Sequence, residues 1–441
     1  MTKGNPAKIL FYFALPMILG NIIQQLYNIV DSMIVGNFLG ADKLAAVGAS
    51  YPITFVFITI ANGASIGCGV LISQYFGSKN IEKMKTSIYT SLISIFIFSF
   101  ILTIIGLTFC NTILNLMNIP RNIFYDCHGY INIYFMGIIF LFLYNISNAS
   151  FNALGNSKTP LMFLIISSIL NVFLDLLFVL KFNLDVKGVA YATLISQGFS
   201  AILSLSYLLL KVKSIKVNKD YKLFDFSMLK KISKIAIPSI LQQSIVSIGN
   251  LFVQSLVNSY GSVVIAGYTS ASKIDSICIL PLTSLSNAIS TFTAQNIGGR
   301  KSNRVKKGYK AALIMIVIFS TFAAIILFIF GNNLVGIFID SNANKDVMLI
   351  GHEYLKIVSM FYFLMGLMVT TNGVLRGAGD LKIFLISSLA NLSTRVICAY
   401  ILANFIGQSA IWWAVPIGWA IASAISVVRY RSGKYLLYGL M

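Results

Sequence analysis

Ionisable side chains are scarce in this chain, and acidic residues and histidines are the scarcest. Only 13 of the 441 residues are Asp or Glu, only 2 are His, and charged residues together make up 10% of the sequence. His128 and His352 are too few for a metal site built from several imidazoles. Hydrophobic residues make up 57% of the chain, more than a water-soluble fold of this length buries.

Cysteine is also infrequent, and its spacing fits no metal site. The five residues are Cys68, Cys110, Cys127, Cys278 and Cys398. Most lie in apolar runs, where a free cysteine behaves as a small hydrophobic residue. Cys110 and Cys127 flank one predicted loop, and the sequence leaves open whether they pair.

Long apolar runs occur along the whole chain. The mean hydropathy is +0.83, and uncharged stretches of 18 or more residues, the length typical of transmembrane helices, recur along the chain. We therefore predict an all-α polytopic membrane protein with 12 transmembrane helices. The predicted spans are 9–36, 46–75, 87–109, 128–152, 159–180, 188–210, 232–259, 265–297, 308–330, 350–374, 382–404 and 410–430.

The net charge of +20 has a topological pattern. With the N-terminus in the cytoplasm, 25 of the 33 Lys and Arg residues fall on the cytoplasmic side and 5 on the opposite side. This asymmetry is that of the positive-inside rule. It predicts a protein of the cell membrane with both termini in the cytoplasm, and it gives no reason to expect a nucleic-acid partner.

The two halves of the chain resemble each other at an offset near 220 residues. Ala14-Leu15-Pro16 aligns with Ala236-Ile237-Pro238, and the segment 167–171 aligns with 387–391. Because each half has an even number of spans, both halves insert in the same direction. We expect two six-helix lobes related by a pseudo-two-fold axis along the membrane normal. The predicted parts are an N-terminal lobe (1–211), a cytoplasmic linker (212–231) and a C-terminal lobe (232–441).

Two aspartates lie inside predicted spans of the first half. A carboxylate at membrane depth costs about 2.5–3.5 kcal/mol on insertion scales, so it usually faces a partner, a cavity or an ion. Asp31 ends an apolar run, and Asp175 follows Asn171 by one helical turn. In the second half, Asp31 aligns with Val253 and Asp175 with Arg395. The carboxylates therefore indicate a task specific to the first half.

Two polar stripes accompany these aspartates. Gln24, Asn28 and Asp31 share one face of the first span at i, i+4 and i+7. The fourth span carries a second stripe of three asparagines: Asn145, Asn148 and Asn152. These amides either serve a substrate and proton network or simply bond helix to helix. If the faces converge, their oxygens suit Na⁺ or a shared proton, and the sequence does not choose between the two ions.

The second half has its own charged residues in apolar surroundings. Lys273 and Asp275 are two residues apart, and Arg395 lies in the eleventh span. They form either a mutual ion pair or cap, or part of the substrate path or lobe interface.

Several segments together resemble one transporter family over essentially the whole chain. The segments are Gln24 to Asp31, Gln74 to Gly77, Ala153 to Pro160, Arg376 to Asp380 and Trp412 to Pro416. In this order they are similar to multidrug and toxic compound extrusion (MATE) transporters. The resemblance implies two six-helix lobes around a V-shaped cleft. It also implies cation-coupled export of organic, mostly cationic compounds.

The resemblance also implies which residues couple to the cation. One branch of the family uses an Asp on the first helix, an Asn and an Asp on the fifth, and a Thr on the sixth. The matching residues here are Asp31, Asn171, Asp175 and Thr193. Another branch uses acidic residues on the seventh and tenth helices. Here the seventh span has no Asp or Glu, and the tenth has only Glu353 near its outer end, which favours the first branch.

The function predicted from the sequence is a Na⁺- or H⁺-coupled antiporter that exports amphipathic, mostly cationic drugs by alternating access. We expect a monomer with small-molecule substrates and lipid neighbours, without an organic cofactor and without ATP. The alternative within the same superfamily is a flippase for a lipid-linked precursor. A membrane-embedded enzyme is the alternative from another class, because two aspartates also serve intramembrane proteases; we predict that the protein is not an enzyme.

Overall fold

The computed structural model describes residues 1–217, 220–337 and 345–438. Throughout this part of the chain the regular structure is helical and no strand occurs. The helices of the first half are α1 (Pro6–Ile34), α2 (Ala41–Gly77), α3 (Ile81–Leu116), α4 (Arg121–Ala153), α5 (Lys158–Leu176) and α6 (Asp185–Ser214). Those of the second half are α7 (Phe226–Asn258), α8 (Ser262–Gly298), α9 (Ser302–Gly336), α10 (Lys345–Met360), α11 (Tyr362–Ala378), α12 (Leu381–Ile406) and α13 (Ser409–Arg431).

Eleven of the helices are long and apolar enough to cross a membrane. Helices α10 and α11 together meet the same criteria, with a bend of 52° between them at Phe361. This bent pair corresponds to the predicted tenth span, 350–374. Counted as one span, it brings the total to 12. The prediction of an all-α polytopic membrane protein is thus confirmed.

The chain forms two compact units. The N unit comprises Leu15–Ile240, and the C unit comprises Met1–Ala14 together with Leu241–Met441. Helices α1 and α7 therefore each contribute residues to both units. The lobe boundaries predicted from the sequence, at 211 and 232, lie inside α6 and α7 and stay a prediction.

Backbone conformations repeat between the two halves. Helices α2 and α8 both have 37 residues, and each follows a glycine with φ of 90°, Gly40 and Gly261 respectively. A φ of this sign is open to glycine and strained for other residues. After these helices, Lys79 (φ 60°) and Arg300 (φ 55°) also take positive values. Equal helix lengths and equal special positions agree with the repeat read from the sequence.

Helix α2 packs against the first part of α7 through glycines, within the N unit. A Cβ at Gly67 would lie 2.5 Å from Cα of Ala236, and a Cβ at Gly63 would lie 2.6 Å from Cα of Ile240. Real Cβ atoms do not approach backbone this closely, so only glycine permits the contact. Small residues that let helix backbones touch are typical of packing in membranes, where apolar burial alone gives no preference for protein over lipid.

In the C unit, the Arg376 to Asp380 segment has a structural role. The buried Arg376 donates to Oδ1 of Asn287 at 2.7 Å and to Oγ of Ser290 at 3.3 Å, both on α8. The buried Asp380 accepts from Nε of Arg429 on α13 at 2.6 Å. The two charged side chains thus tie the end of α11 to its neighbours.

We predict that Gly67→Ala destabilises the protein by about 1–3 kcal/mol, because the new methyl group meets backbone that cannot rotate away. The measurement is thermal unfolding in detergent. Gly48→Ala in the same helix is the matched control, since no atom lies within 4 Å of its added Cβ. Equal melting temperatures for the two variants would contradict the close contact between α2 and α7.

Candidate cation site

Asp31 and Asp175 both lie next to an irregular turn of their helix. Helix α1 continues after Ile34 as a π-helical turn, Val35–Leu39, and α5 continues as a second π-helical turn, Leu177–Lys181. Such turns are rare in general and frequent at functional sites. The two turns contact each other, and Val35 and Val179 belong to one buried apolar cluster. This packing fixes the ends of α1 and α5 just beyond the two carboxyl groups.

The carboxyl groups of Asp31 and Asp175 lie against each other. Their side chains interact directly, and Asp175 is 0% exposed. Neither oxygen of Asp175, nor Oδ1 of Asp31, receives a hydrogen bond from any described residue. Two adjacent carboxylates without donors repel each other and have lost their hydration. The pair is therefore stable only with a proton or a cation between the two groups.

Amide and hydroxyl oxygens stand beside this pair. Asn171, one turn before Asp175 on α5, is 2% exposed, and its Nδ2 donates to Oγ1 of Thr193 on α6 at 3.5 Å. Its Oδ1 is buried and has no donor among the described residues. The four residues predicted for the cation site thus come from α1, α5 and α6 and lie together in the N unit. Their role as ligands stays a prediction.

Three tyrosines near the carboxyl groups were not predicted from the sequence. Tyr27, one turn before Asp31, and Tyr130 on α4 both interact electrostatically with the two aspartates. Tyr130 and Tyr134 also line a small cavity between α4 and α6, together with Thr193 and Gln197. The signal in the sequence is weak, because tyrosines one turn from a charge are common in apolar helices. These hydroxyls can donate to a carboxylate or hold water beside it.

Neither predicted polar stripe makes a described side-chain contact with the carboxyl groups, and the role of both in a substrate or proton network stays a prediction. Gln24 and Asn28 on α1 are exposed, and no described contact joins their side chains to Asp31. The α4 stripe bonds within its own helix: Asn145 donates to the Leu141 carbonyl at 2.9 Å, and Asn152 donates to Oδ1 of Asn148 at 2.9 Å.

The asparagine stripe on α4 lies at a different position along the helix axis from the carboxyl groups. Asn148 follows Tyr130 by 18 residues, which is about 27 Å along an α-helix. Tyr130 is the α4 residue near the aspartates, so the stripe is far from the cation site. A role for it in a substrate network stays a prediction.

Two of the three charged residues predicted in the second half, Asp275 and Arg395, interact electrostatically in the C unit. The two oxygens of Asp275 accept hydrogen bonds from hydroxyl groups of Tyr354, at 3.1 Å, and Tyr362, at 2.6 Å. Arg395 donates through Nη1 to Oδ1 of Asn250 at 3.3 Å. Lys273 is exposed. Cys110 and Cys127, whose pairing was left open, are both buried free thiols.

Comparison with known proteins identifies the family. The MatE family model matches the chain twice, over residues 16–177 and 238–401. The chain therefore belongs to the MatE family, and the double match agrees with the repeated halves.

Individual relatives cover nearly the whole chain. The probable multidrug resistance protein YpnP of Bacillus subtilis is 29% identical over 98% of this chain and 97% of its own length. The probable multidrug resistance protein YoeA of the same organism is 29% identical over 97% of this chain and 91% of its own length.

A solved structure shows the same fold. An outward-facing multidrug resistance MATE family transporter superposes with a TM-score of 0.91 at 24% identity, covering 98% of this chain and 97% of that one. At this identity the likeness concerns the fold alone.

The carboxyl pair leads to a stability prediction. In Na⁺-free buffer at pH 8, Asp175→Asn should raise the melting temperature, because the amide can lie beside Asp31 and donate to it without the proton or cation that the carboxyl pair requires. We expect a gain of about 1 kcal/mol or more in unfolding free energy. Glu353→Gln is the control, since that carboxylate already accepts from Ser409 Oγ at 2.5 Å. A lower melting temperature for Asp175→Asn than for the wild type would contradict the unpaired carboxyl pair.

Proposed function

We propose that this protein is a multidrug efflux antiporter of the cell membrane that couples export of amphipathic, mostly cationic organic compounds to inward movement of Na⁺ or H⁺. The observation that carries the proposal is the contact between half-buried Asp31 and fully buried Asp175, in which three of the four carboxyl oxygens have no donor among the described residues. Membership of the MatE family and relatives named multidrug resistance proteins support drug export as the task.

The cation site explains how an ion gradient drives export. Asp31 and Asp175 repel each other when both are charged and the site is empty, and a bound cation or proton removes that repulsion. Occupancy therefore changes the relative free energy of conformations in which the pair is close. A drug that binds preferentially to the conformation disfavoured by the ion is then exchanged for it. No bond is made or broken in the drug, so the protein acts as a transporter and not as an enzyme.

The residues fit a hard cation. Carboxylate, amide and hydroxyl oxygens are the ligands that such ions prefer, and Asp31, Asp175, Asn171 and Thr193 supply them. We further propose that both termini are cytoplasmic, since the basic residues are concentrated on that side of the predicted topology. We also propose that the transporter works as a monomer without ATP or an organic cofactor.

Transport in proteoliposomes tests the proposal. With ethidium as the fluorescent cation, we expect efflux under an imposed Na⁺ or H⁺ gradient, and loss of at least tenfold in gradient-driven rate for Asp31→Asn and Asp175→Asn. Glu353→Gln, which also removes an acidic group from the membrane region, should keep the wild-type rate. Wild-type coupling in both aspartate variants would exclude the site, and absence of any gradient-dependent export of ethidium or other drugs would exclude the function.

A substitution at Thr193 distinguishes Na⁺ coupling from H⁺ coupling. If Na⁺ binds at the site, Thr193→Val should raise the Na⁺ concentration for half-maximal efflux about tenfold, since one oxygen ligand worth about 1.4 kcal/mol is lost. Thr193→Ser keeps the hydroxyl and should stay near the wild type. The readout is the Na⁺ dependence of ethidium efflux at fixed pH. An unchanged Na⁺ dependence in Thr193→Val would show that Thr193 is not a ligand, and efflux independent of Na⁺ in the wild type would argue for proton coupling.

A further inference from the structure

The C unit repeats the residue pattern of the cation site with the opposite charge. At the offset of the two halves, Arg395 occupies the place of Asp175, and Asn391 occupies that of Asn171, one turn earlier in both helices. Asn250 on α7 likewise occupies the place of Asn28 on α1. The position of Asp175 thus carries a guanidinium in the C unit, flanked by amides on α12 and α7, while the position of Asp31 carries the apolar Val253.

The hydrogen-bonding groups of this cluster are only partly paired. Arg395 donates through Nη1 to Asn250 Oδ1 at 3.3 Å, but its Nε is buried and has no acceptor among the described residues. A buried N–H without an acceptor is unfavourable, and more so on a charged group. A movement of the side chain that brought Nε to an acceptor would remove this penalty.

The backbone of α13 leaves no room for another side chain next to Arg395. A Cβ at Gly418 would lie 2.6 Å from Oδ1 of Asn391 and 3.4 Å from Cβ of Arg395. The aliphatic part of the Arg395 side chain, on α12, therefore packs closely against α13. Its guanidinium end lies on the side of Asn250 on α7.

Asp275 is near the guanidinium but does not neutralise it by contact. The two charges interact electrostatically, yet they form no ion pair within 4.0 Å in the described ranges. Each oxygen of Asp275 already accepts a tyrosine hydroxyl, from Tyr354 and Tyr362. The carboxylate is thus held by its donors and leaves Arg395 free to bind another anionic group.

The cluster is accessible from outside the protein. Arg395 and Asp275 are half-buried and Asn250 is exposed, while Lys273, the other basic residue near Asp275 in the sequence, is exposed on α8. Among the described residues the guanidinium has one hydrogen-bond acceptor, Asn250 Oδ1, so it can take a carboxylate as a second. The planar guanidinium matches the two oxygens of a carboxylate, which a lysine ammonium cannot do.

From these contacts we infer that Arg395, oriented by Asn250, is a subsite of the C unit that binds the carboxylate of an exported compound. The inference rests on the proposed export function and narrows its substrates: a compound with both a cationic ring system and a carboxylate binds through both charges. The cationic part then lies on the side of the Asp275 carboxyl group.

A pair of dyes that differ in one group tests the subsite. Rhodamine 110 has a free carboxylate, and rhodamine 123 is its methyl ester, so the fluorophore and its cationic charge are the same. Binding is measured by fluorescence polarisation to the full-length protein in nanodiscs, at fixed pH and salt and without an ion gradient. We expect Arg395→Gln to weaken rhodamine 110 binding at least tenfold and to leave rhodamine 123 binding within about twofold.

Two further variants keep the result interpretable. Lys356→Gln removes one positive charge elsewhere in the C unit, where the ammonium lies 4.8 Å from the centre of the Phe328 ring, and should change neither dye. Arg395→Lys keeps the positive charge but lacks the planar guanidinium that matches both carboxylate oxygens. It should therefore recover only part of the rhodamine 110 affinity. Equal weakening of both dyes in Arg395→Gln, or no weakening of rhodamine 110, would overturn the subsite.

This measurement is independent of the transport test. Because it is an equilibrium without a gradient, it can fail while ion-driven ethidium efflux succeeds. It can equally succeed in a protein whose coupling differs from the proposal.

Discussion

The repulsion between Asp31 and Asp175 is the constraint on which the N unit depends. Two carboxyl groups in contact, one of them fully buried and neither fully supplied with donors, raise the free energy of the folded state unless a positive charge joins them. The apolar cluster around Val35 and Val179 holds the helix ends together against this repulsion. The unit thereby carries a built-in requirement for an ion or a proton, which a purely structural polar contact would not create.

Duplication lets one scaffold carry two different electrostatic tasks. Helices α2 and α8 have equal lengths and begin after glycines with the same φ of 90°, so the backbones of the two halves repeat closely. The side chains at the repeated positions differ, with Asp175 in one half and Arg395 in the other. Because backbone geometry is kept while charge is reversed, each half can specialise without a change of fold.

Much of the fold was predictable from hydropathy, since long apolar runs have few alternatives to membrane-spanning helices. The bend at Phe361 was not, because neither proline nor glycine occurs at the break between α10 and α11. For the site, the cost of a carboxylate inside an apolar span indicated Asp31 and Asp175, and residue spacing placed Asn171 on the face of Asp175. The family resemblance added Thr193. The α4 asparagines were grouped with them because periodicity gives the face of a helix and not the depth at which a residue faces a neighbour. Tyr130, at the right depth, carried no pattern of its own.

The positions of the two charged sites also bear on how coupling works. The proposed cation site belongs wholly to the N unit, and the proposed carboxylate subsite belongs wholly to the C unit. An ion bound between two aspartates and a carboxylate bound to an arginine have opposite charges and different ligands, so neither displaces the other directly. Any coupling between the two sites must then arise because each ligand changes the relative free energy of whole-protein conformations. A transporter built this way can change its substrates at Arg395 while the energetics at Asp31 and Asp175 stay the same.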